Sequence, residues 1–341
     1  MKCTLRQRWI ERETIITQNC NKVLILSNRE DITADYVVLE LTRRNVPFFR
    51  FNTEDYPLKV QLSLNLEEAS FAGAFIRREE VFHVEEFRSV WYRRPSPPSF
   101  DSLPLDSGLK AFCTKESFYA LEGLWASLNC FWVSDPFKIR KAENKPYQLK
   151  LATELGFKIP STLISSSAAE IMGFIEKNPL GVIIKPVRTG VFKEGSGEKL
   201  IFTSSLKAFD AEKYCSSVKI PSIYQEQLPK EYDIRVTLIG DRVFATEIHS
   251  QDYKDSIVDW RKGENPKITH KKHKLPQDIE QNCIRLMTKL GLEFSAIDLV
   301  MTPDHEYYFL EINPNGQWAW IEQRTGYQLT EALVDLLCQK N

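Results

Sequence analysis

The chain has 341 residues, 43% of them hydrophobic and 27% charged, with a net charge of -1. That length exceeds one compact core and suits roughly two or three subdomains. Nothing in the balanced charge argues for a nucleic-acid or membrane surface, and no apolar run approaches the ~20 residues of a membrane helix.

Residues 1–20 mix Arg, Glu, Trp and Thr and lack the apolar stretch of a secretory signal, so they read as an extension ahead of the first strand. The 7 cysteines, from Cys3 to Cys338, are odd in number and no two sit two residues apart. Neither a disulfide frame nor a zinc site is indicated, and reduced thiols in the cytoplasm are expected. Val23 to Leu26 predicts a strand, Ala34, Val37, Val38 and Leu41 a helix, and Pro47 to Phe51 a second strand. Strand, helix, strand suggests a parallel βαβ unit. Residues 59–66 alternate and can pair with Phe71 to Ile76. Ser89 to Arg94 reads as a strand, Leu109 to Leu128 as a helix, and Trp132-Val133 as a strand running into a turn.

A second unit starts near Ser134. Glu143 to Leu155 predicts a helix ended by Gly156, and Gly181 to Lys185 a strand. A loop over Val187 to Lys199 carries Gly190, Gly195 and Gly197, and Ile201 to Thr203 returns as a strand. A third unit runs from Ile223, with strands at Asp233 to Ile239 and Arg242 to Ile248 joined by a Gly240-Asp241 hairpin. A helix follows over 276–290, then strands over 295–301 and 306–312. Basic residues Lys271, Lys272 and Lys274 with His273 read as a solvated loop. His270 and His273 lie between Pro266 and Pro276, which discounts a metal site there.

The chemistry is sharpest near the C-terminal end. Glu311 and Asn313 are two apart on a strand and therefore share a face, and a hairpin brings Asp298 alongside Glu311. Two carboxylates and an amide oxygen suit Mg²⁺, a hard cation that takes oxygen and phosphate partners. The same acids could instead form a buried network with Arg235 or Lys185. Lys185 ends an apolar strand just before the glycine-bearing loop, whose N–H groups can wrap phosphate oxygens. Asp233 and Arg235 share a face, as a ribose acid and a phosphate-binding cation or as a plain ion pair.

Lys145, Lys185, the glycine loop, Gln225-Glu226, Asp233-x-Arg235, Asp298 and Glu311-x-Asn313 form an ordered series. That series resembles the nucleotide site of the ATP-grasp superfamily, and Asp-Ile-Arg with Glu-Ile-Asn resembles its RimK-type branch. Further residues resemble the microviridin-type ATP-grasp ligases, which mature graspetides. They are Phe48 to Glu54, Val90 to Pro95, Ala142 to Lys145, Ser250-Gln251 with Asp259-Trp260-Arg261, and Asn313 to Trp318.

The resemblance implies an α/β, α+β architecture. Residues 1–20 form an extension, 21–133 an α/β pre-ATP-grasp domain, and 134–222 and 223–341 two α+β subdomains that clamp ATP. It implies ATP and two Mg²⁺ ions as cofactors. Lys145 and Lys185 then contact phosphates, with Gly190, Gly195 and Gly197 in the loop beside them. Gln225, Glu226, Gln227 and Leu228 form the adenine hinge, and Asp233 sits near the ribose. Arg235 faces the γ-phosphate or acyl phosphate, with Lys185 the other catalytic cation, and Asp298, Glu311 and Asn313 hold the metal. The substrate implied is a short ribosomal precursor peptide, leader plus acidic core, closed into ester or amide rings; the resemblance also implies a homodimer, with no nucleic-acid or membrane partner. The alternatives are a RimK-type ligase that adds an amino acid to a protein or peptide, and a nucleotide-binding module without ligation. Trp91 to Arg94 and Trp260-Arg261 are candidates to line or close the substrate path, while Trp318 and Trp320 suit core or site equally.

Overall fold

Val23, Leu24, Ile25 and Leu26 are fully buried because their strand lies inside a sheet covered on both faces. The computed structural model describes residues 21–67, 70–188, 191–194, 197–201, 203–206, 220–254, 256–261 and 265–339. The extension over residues 1–20 therefore lies outside the described residues. The chain divides into two units, one ending at Pro136 and taking back the residues after Tyr327, the other Phe137–Tyr327.

The first unit opens with β1 (Lys22–Ser27), α1 (Ile32–Arg43) and β2 (Phe48–Asn52), the expected parallel βαβ unit. Asp31 caps α1 by accepting from the Thr33 and Ala34 N–H groups. A meander follows, β3 (Gln61–Glu67), β4 (Ser70–Arg77) and β5 (Glu80–His83), whose last strand the sequence pattern missed. Then come β6 (Phe87–Tyr92), α2 (Ser107–Ser127) and β7 (Phe131–Val133), giving the parallel order β2-β1-β6-β7. Phe49, Phe51, Phe75 and Trp125 form the aromatic core of this unit.

The second unit opens with α3 (Pro136–Ala142) and α4 (Lys145–Glu154). One helix was expected from Glu143, but Asn144 caps α4 by accepting from the Tyr147 N–H at 3.0 Å, which makes Lys145 its first residue. Next are β8 (Thr162–Ser165), α5 (Ala168–Lys177), β9 (Val182–Lys185), β10 (Val191–Glu194), β11 (Gly197–Leu200), β12 (Ser204–Leu206) and β13 (Ser222–Glu226). The glycine-bearing stretch is thus a hairpin, β10 against β11, rather than a loop throughout, and the returning strand starts at Ser204 instead of Ile201. β12, β9, β13 and β8 form one sheet, so the strand at Ile223 closes the central subdomain instead of opening the next.

The last sheet holds β14 (Tyr232–Ile239), β15 (Arg242–Ile248), β16 (His270–His273), β17 (Phe294–Met301) and β18 (Tyr307–Asn313) in the order β16-β15-β14-β17-β18. The expected basic loop is in fact β16, an edge strand whose Lys271 and Lys272 are exposed, as edge lysines discourage further pairing. α6 (Gln277–Leu290) lies between β16 and β17 in sequence, and α7 (Ala319–Thr325) follows β18. The final helix, α8 (Leu329–Cys338), does not belong to the C-terminal subdomain that was expected to run through residue 341. It packs on α1 and β6 of the first unit. Arg44 pairs with Asp335 at 2.6 Å, and Ser89 donates to the Leu337 carbonyl at 2.7 Å.

One side chain locks α4 to β18. Gln148, 2% exposed, donates to the Ala142 and Ile312 carbonyls at 2.6 and 2.8 Å and accepts from the Ile312 N–H at 3.1 Å. Ile312 sits between Glu311 and Asn313, so the clamp fixes the strand that carries both. Replacing Gln148 with Leu strands three buried backbone groups, and urea unfolding should show a loss of about 2–4 kcal/mol.

Candidate active site

Arg235, Asp298 and Glu311 are successive register partners across β14, β17 and β18. Direct opposition across antiparallel strands brings side chains within contact distance. The Arg235 Nη1 donates to both Asp298 carboxylate oxygens at 2.8 and 2.9 Å. Beyond the row, Lys145 Nζ lies 3.0 Å from one Glu311 oxygen and Arg261 Nη1 3.7 Å from the other. Lys185 acts on Glu311 and Asp298 through its charge. Four cations, Lys145, Lys185, Arg235 and Arg261, therefore surround Asp298, Glu311 and Asp259, which Arg261 grips at 2.8 and 3.0 Å.

The electrostatics follow from burial and these neighbours. Burial pushes the Lys185 ammonium down to about 8, against the pull of Glu311. Burial also pushes Glu311 up, but Lys145, Lys185 and Arg261 outweigh it and hold the carboxyl below its usual range. For Asp298 burial wins and, with the Glu311 charge beside it, raises the carboxyl against the Arg235 guanidinium. Asp259 is likewise pushed up by burial, yet Arg261 leaves it net lowered.

Several further groups complete the surroundings. The Arg235 Nε is buried and, among the described residues, has no hydrogen-bond partner. Gly316 gives the guanidinium room, because a Cβ there would lie 2.5 Å from Arg235 Nη2 and 2.4 Å from the Ala296 Cβ. The Asn313 side-chain oxygen accepts from the Asn315 N–H at 3.0 Å.

Other expected residues take different places. Asp233 shares the Arg235 face, but its carboxylate is taken by Ser250 Oγ at 2.6 Å and Lys230 Nζ at 2.9 Å. That contact joins Ser250 to β14. Gln225 is fully buried and donates to Thr162 Oγ1 at 2.9 Å, inside the sheet. The Glu226 and Gln227 N–H groups are spent on the Ser161 and Gly181 carbonyls at 3.0 and 2.9 Å. Gly197 begins β11, while Gly190 and Gly195 lie outside the described residues. Trp91 and Arg93 are buried in the first unit, the latter 3.2 Å from Asp31, whereas Arg94 is exposed. Trp318 is core, and Trp320 meets Trp260 at 5.1 Å between ring centres.

The donor set is chemically suited to a hard cation. Asp298, Glu311 and Asn313 offer oxygen only, as Mg²⁺ requires, and they leave coordination positions for phosphate oxygens and water. Among the described residues no group of three or more His, Cys, Asp and Glu side chains forms a metal cluster. Asn313 is therefore needed to bring the protein oxygens to three side chains. The partnerless Arg235 Nε fits an anion bound beside it. The sequence pattern missed Gln148 and Lys230, gave Gly316 no role beyond its place in the Asn313 to Trp318 likeness, and gave Arg261, besides its part in that likeness, only the role of closing over substrate.

Comparison with known proteins bears on the whole chain. Residues 22–140 match the MvdD pre-ATP-grasp domain and residues 142–337 the RimK-like ATP-grasp domain. A RiPP-associated ATP-grasp ligase from Chryseobacterium gregarium, solved with ADP and a leader and core peptide, is 30% identical. The match covers 93% of this chain and 96% of that one, with a TM-score of 0.86. The macrocyclase MdnC from Microcystis aeruginosa MRC, bound with precursor peptide MdnA, is 26% identical over 93% of this chain and 99% of its own, with a TM-score of 0.81. The alpha-aminoadipate–LysW ligase LysX of Sulfurisphaera tokodaii is 24% identical over 62% of this chain and 73% of its own. The chain belongs to the RimK-like ATP-grasp ligases, and its grasp domain follows a pre-ATP-grasp domain of the MvdD kind.

Proposed function

We propose that this ligase closes rings in a ribosomally made precursor peptide, by activating Asp or Glu side chains with ATP. The observation that carries the chemistry is the charged row Arg235–Asp298–Glu311 with Lys145, Lys185 and Arg261 around it. The substrate class is supported by the extent of likeness. The peptide-bound ligase and macrocyclase align with both units, whereas the ligase LysX aligns with 62% of the chain. No helix among the described residues is long and apolar enough to cross a membrane, and a cytoplasmic place suits an enzyme that takes ATP and new peptide.

A carboxylate is a poor acyl donor because oxide would have to leave. A side-chain carboxylate oxygen attacks the γ-phosphorus, the bond to ADP breaks, and an acyl phosphate forms. A Ser or Thr hydroxyl or a Lys amine then attacks the carbonyl carbon and phosphate leaves. The nucleophile's proton goes to phosphate or solvent, so the peptide loses one water for each ring. The protein positions the partners and neutralises charge on the moving phosphoryl group. Lys145 and Lys185 hold ATP phosphates, and Arg235 faces the transferred phosphoryl group. Asp298, Glu311 and Asn313 hold Mg²⁺, which when bound adds charge neutralisation at the phosphate oxygens. The stretch from Gln225 to Leu228 serves as the adenine hinge, with the Glu226 and Gln227 N–H groups already bonded to the Ser161 and Gly181 carbonyls. Asp233 holds the 250–261 segment, so that Arg261 reaches Glu311.

Intact mass of a candidate precursor peptide, encoded beside this gene and co-expressed with the protein, tests the proposal. Loss of 18 Da per ring is expected, and none with the Asp298→Ala, Glu311→Ala double variant, whose rate should fall by at least about 100-fold. Gain of an amino-acid mass would replace the proposal with amino-acid ligation. A second expectation concerns pH. Lys185 binds phosphate only when protonated, so ATP affinity falls as pH rises through about 8. The Kd should climb toward ~10-fold per unit above that point. The Lys185→Met variant should bind ATP more weakly and lose this slope. Its own folding should gain nothing from the interval between about 8 and the usual lysine value, where the wild-type chain becomes more stable because the unfolded state holds the extra proton.

A further inference from the structure

The stretch that carries Asp259 and Arg261 leaves β15 after Ile248 and returns at His270 as β16. It is on the order of 20 residues long, more than most connections, and its ends lie side by side because β15 and β16 pair. On the Arg235 face of the sheet, Asp233 holds Ser250. Ser256 Oγ donates to the Ser250 carbonyl at 2.6 Å, and Lys230 Nζ to the Val258 carbonyl at 3.2 Å.

The same neck is held from the opposite face by a group that the chemistry above does not use. Thr246 stands opposite Arg235 in register and Glu247 opposite Ile234. Alternation therefore turns the Glu247 side chain away from the Arg235–Asp298–Glu311 row. A carboxylate only accepts hydrogen bonds, so two imidazoles donate to it, each to a different oxygen. His249 does so through Nε2 at 3.0 Å and His273 through Nδ1 at 2.8 Å. The His273 Nε2 meets the Tyr307 hydroxyl of β18 at 3.0 Å. The Tyr232 ring lies 5.3 Å from the His249 ring and 6.0 Å from that of His273. The side chains of Glu247 and His273 are only 17% and 9% exposed. Apolar side chains of the same size would fill this patch with less desolvation cost. What the polar clamp adds is direction. His249 is the first residue of the stretch, His273 ends the strand that receives it, and one carboxylate fixes both.

We propose that Glu247 is a positioning residue for the phosphate site: by closing this neck from behind the sheet, it sets where Arg261 stands against Glu311. The proposal rests on the reading that Arg261 belongs to the cation set that meets ATP phosphates, and not on the nature of the peptide. The links from neck to guanidinium are short. Ser250 is tied to Asp233 and Ser256, Val258 to Lys230, Asp259 to Arg261 at 2.8 and 3.0 Å, and Arg261 to Glu311 at 3.7 Å. Releasing His249 shifts the first of these links and, through it, the rest.

ATP binding to the full chain, followed by calorimetry in EDTA, tests this without peptide and without metal. Fewer cations around the phosphates then mean weaker binding. Arg261→Ala should raise the ATP Kd about 10-fold, and Glu247→Leu, with native circular dichroism, by a similar factor. Because Glu247 acts through Arg261, the Glu247→Leu, Arg261→Ala double variant should be no weaker than Arg261→Ala alone. Glu247→Gln, which keeps the shape and can still bond both imidazoles, should recover most of the affinity. His249→Leu cuts one arm of the clamp and serves where Glu247→Leu does not fold. It should give a smaller loss that also disappears in the Arg261→Ala background. An unchanged Kd in Glu247→Leu and His249→Leu would overturn the proposal. So would losses that multiply to about 100-fold in the double variant, or a Glu247→Gln chain as weak as Glu247→Leu.

Discussion

Two carboxylates placed side by side on one row of a sheet repel each other, and burial raises the cost of both charges. Asp298 and Glu311 are such a pair, opposed in register across β17 and β18. The C-terminal subdomain is organised around making that pair tolerable. Arg235 stands on the far side of Asp298 in the same row, and Lys145 and Arg261 grip the two oxygens of Glu311 from outside the sheet. The cations in turn would repel one another without the acids between them. This balance is what ATP and Mg²⁺ would join, since both bring charge of the kinds already present.

Each cation comes from a different element, so the row depends on how those elements are tied together. Lys145 begins α4, and Gln148 one turn later bonds α4 to the backbone of Ile312, next to Glu311. Arg261 is held by Asp259, and the segment before it is held to β14 by the Ser250–Asp233 hydrogen bond. Asp233 thus supports the site from within. Gly316 keeps the space over Arg235 open. These contacts turn three strands and a helix start into one rigid electrostatic unit.

Much of this was legible in the sequence, for a simple reason. Strand alternation places Glu311 and Asn313 on one face, and the hairpin around Thr302-Pro303-Asp304 aligns Asp298 with them. The hydrophobic runs at Val23 and Phe48 similarly announce the parallel sheet. What stayed hidden depends on partners far away in the chain. Gln148 looks like any helical glutamine until Ile312 lies beside it, and nothing near Asp233 in sequence announces Ser250. The strand at Ile223 is a strand in either subdomain, and only its pairing with β8 and β9 assigns it to the central one. The last helix is apolar enough to suit any core, and its place on α1 is fixed by long-range contacts such as Arg44–Asp335.

The central claim is that a peptide carboxylate is phosphorylated at this row before it is closed. An isotope measurement reaches it most directly. A precursor peptide with ¹⁸O in its Asp and Glu side-chain carboxylates is turned over with unlabelled ATP, and the released phosphate is analysed by mass. Activation through an acyl phosphate leaves one ¹⁸O in each phosphate for every ring formed at a fully labelled carboxylate. Phosphate released without label, while rings form, would show that the carboxylate oxygen never bonds to phosphorus and would contradict the account.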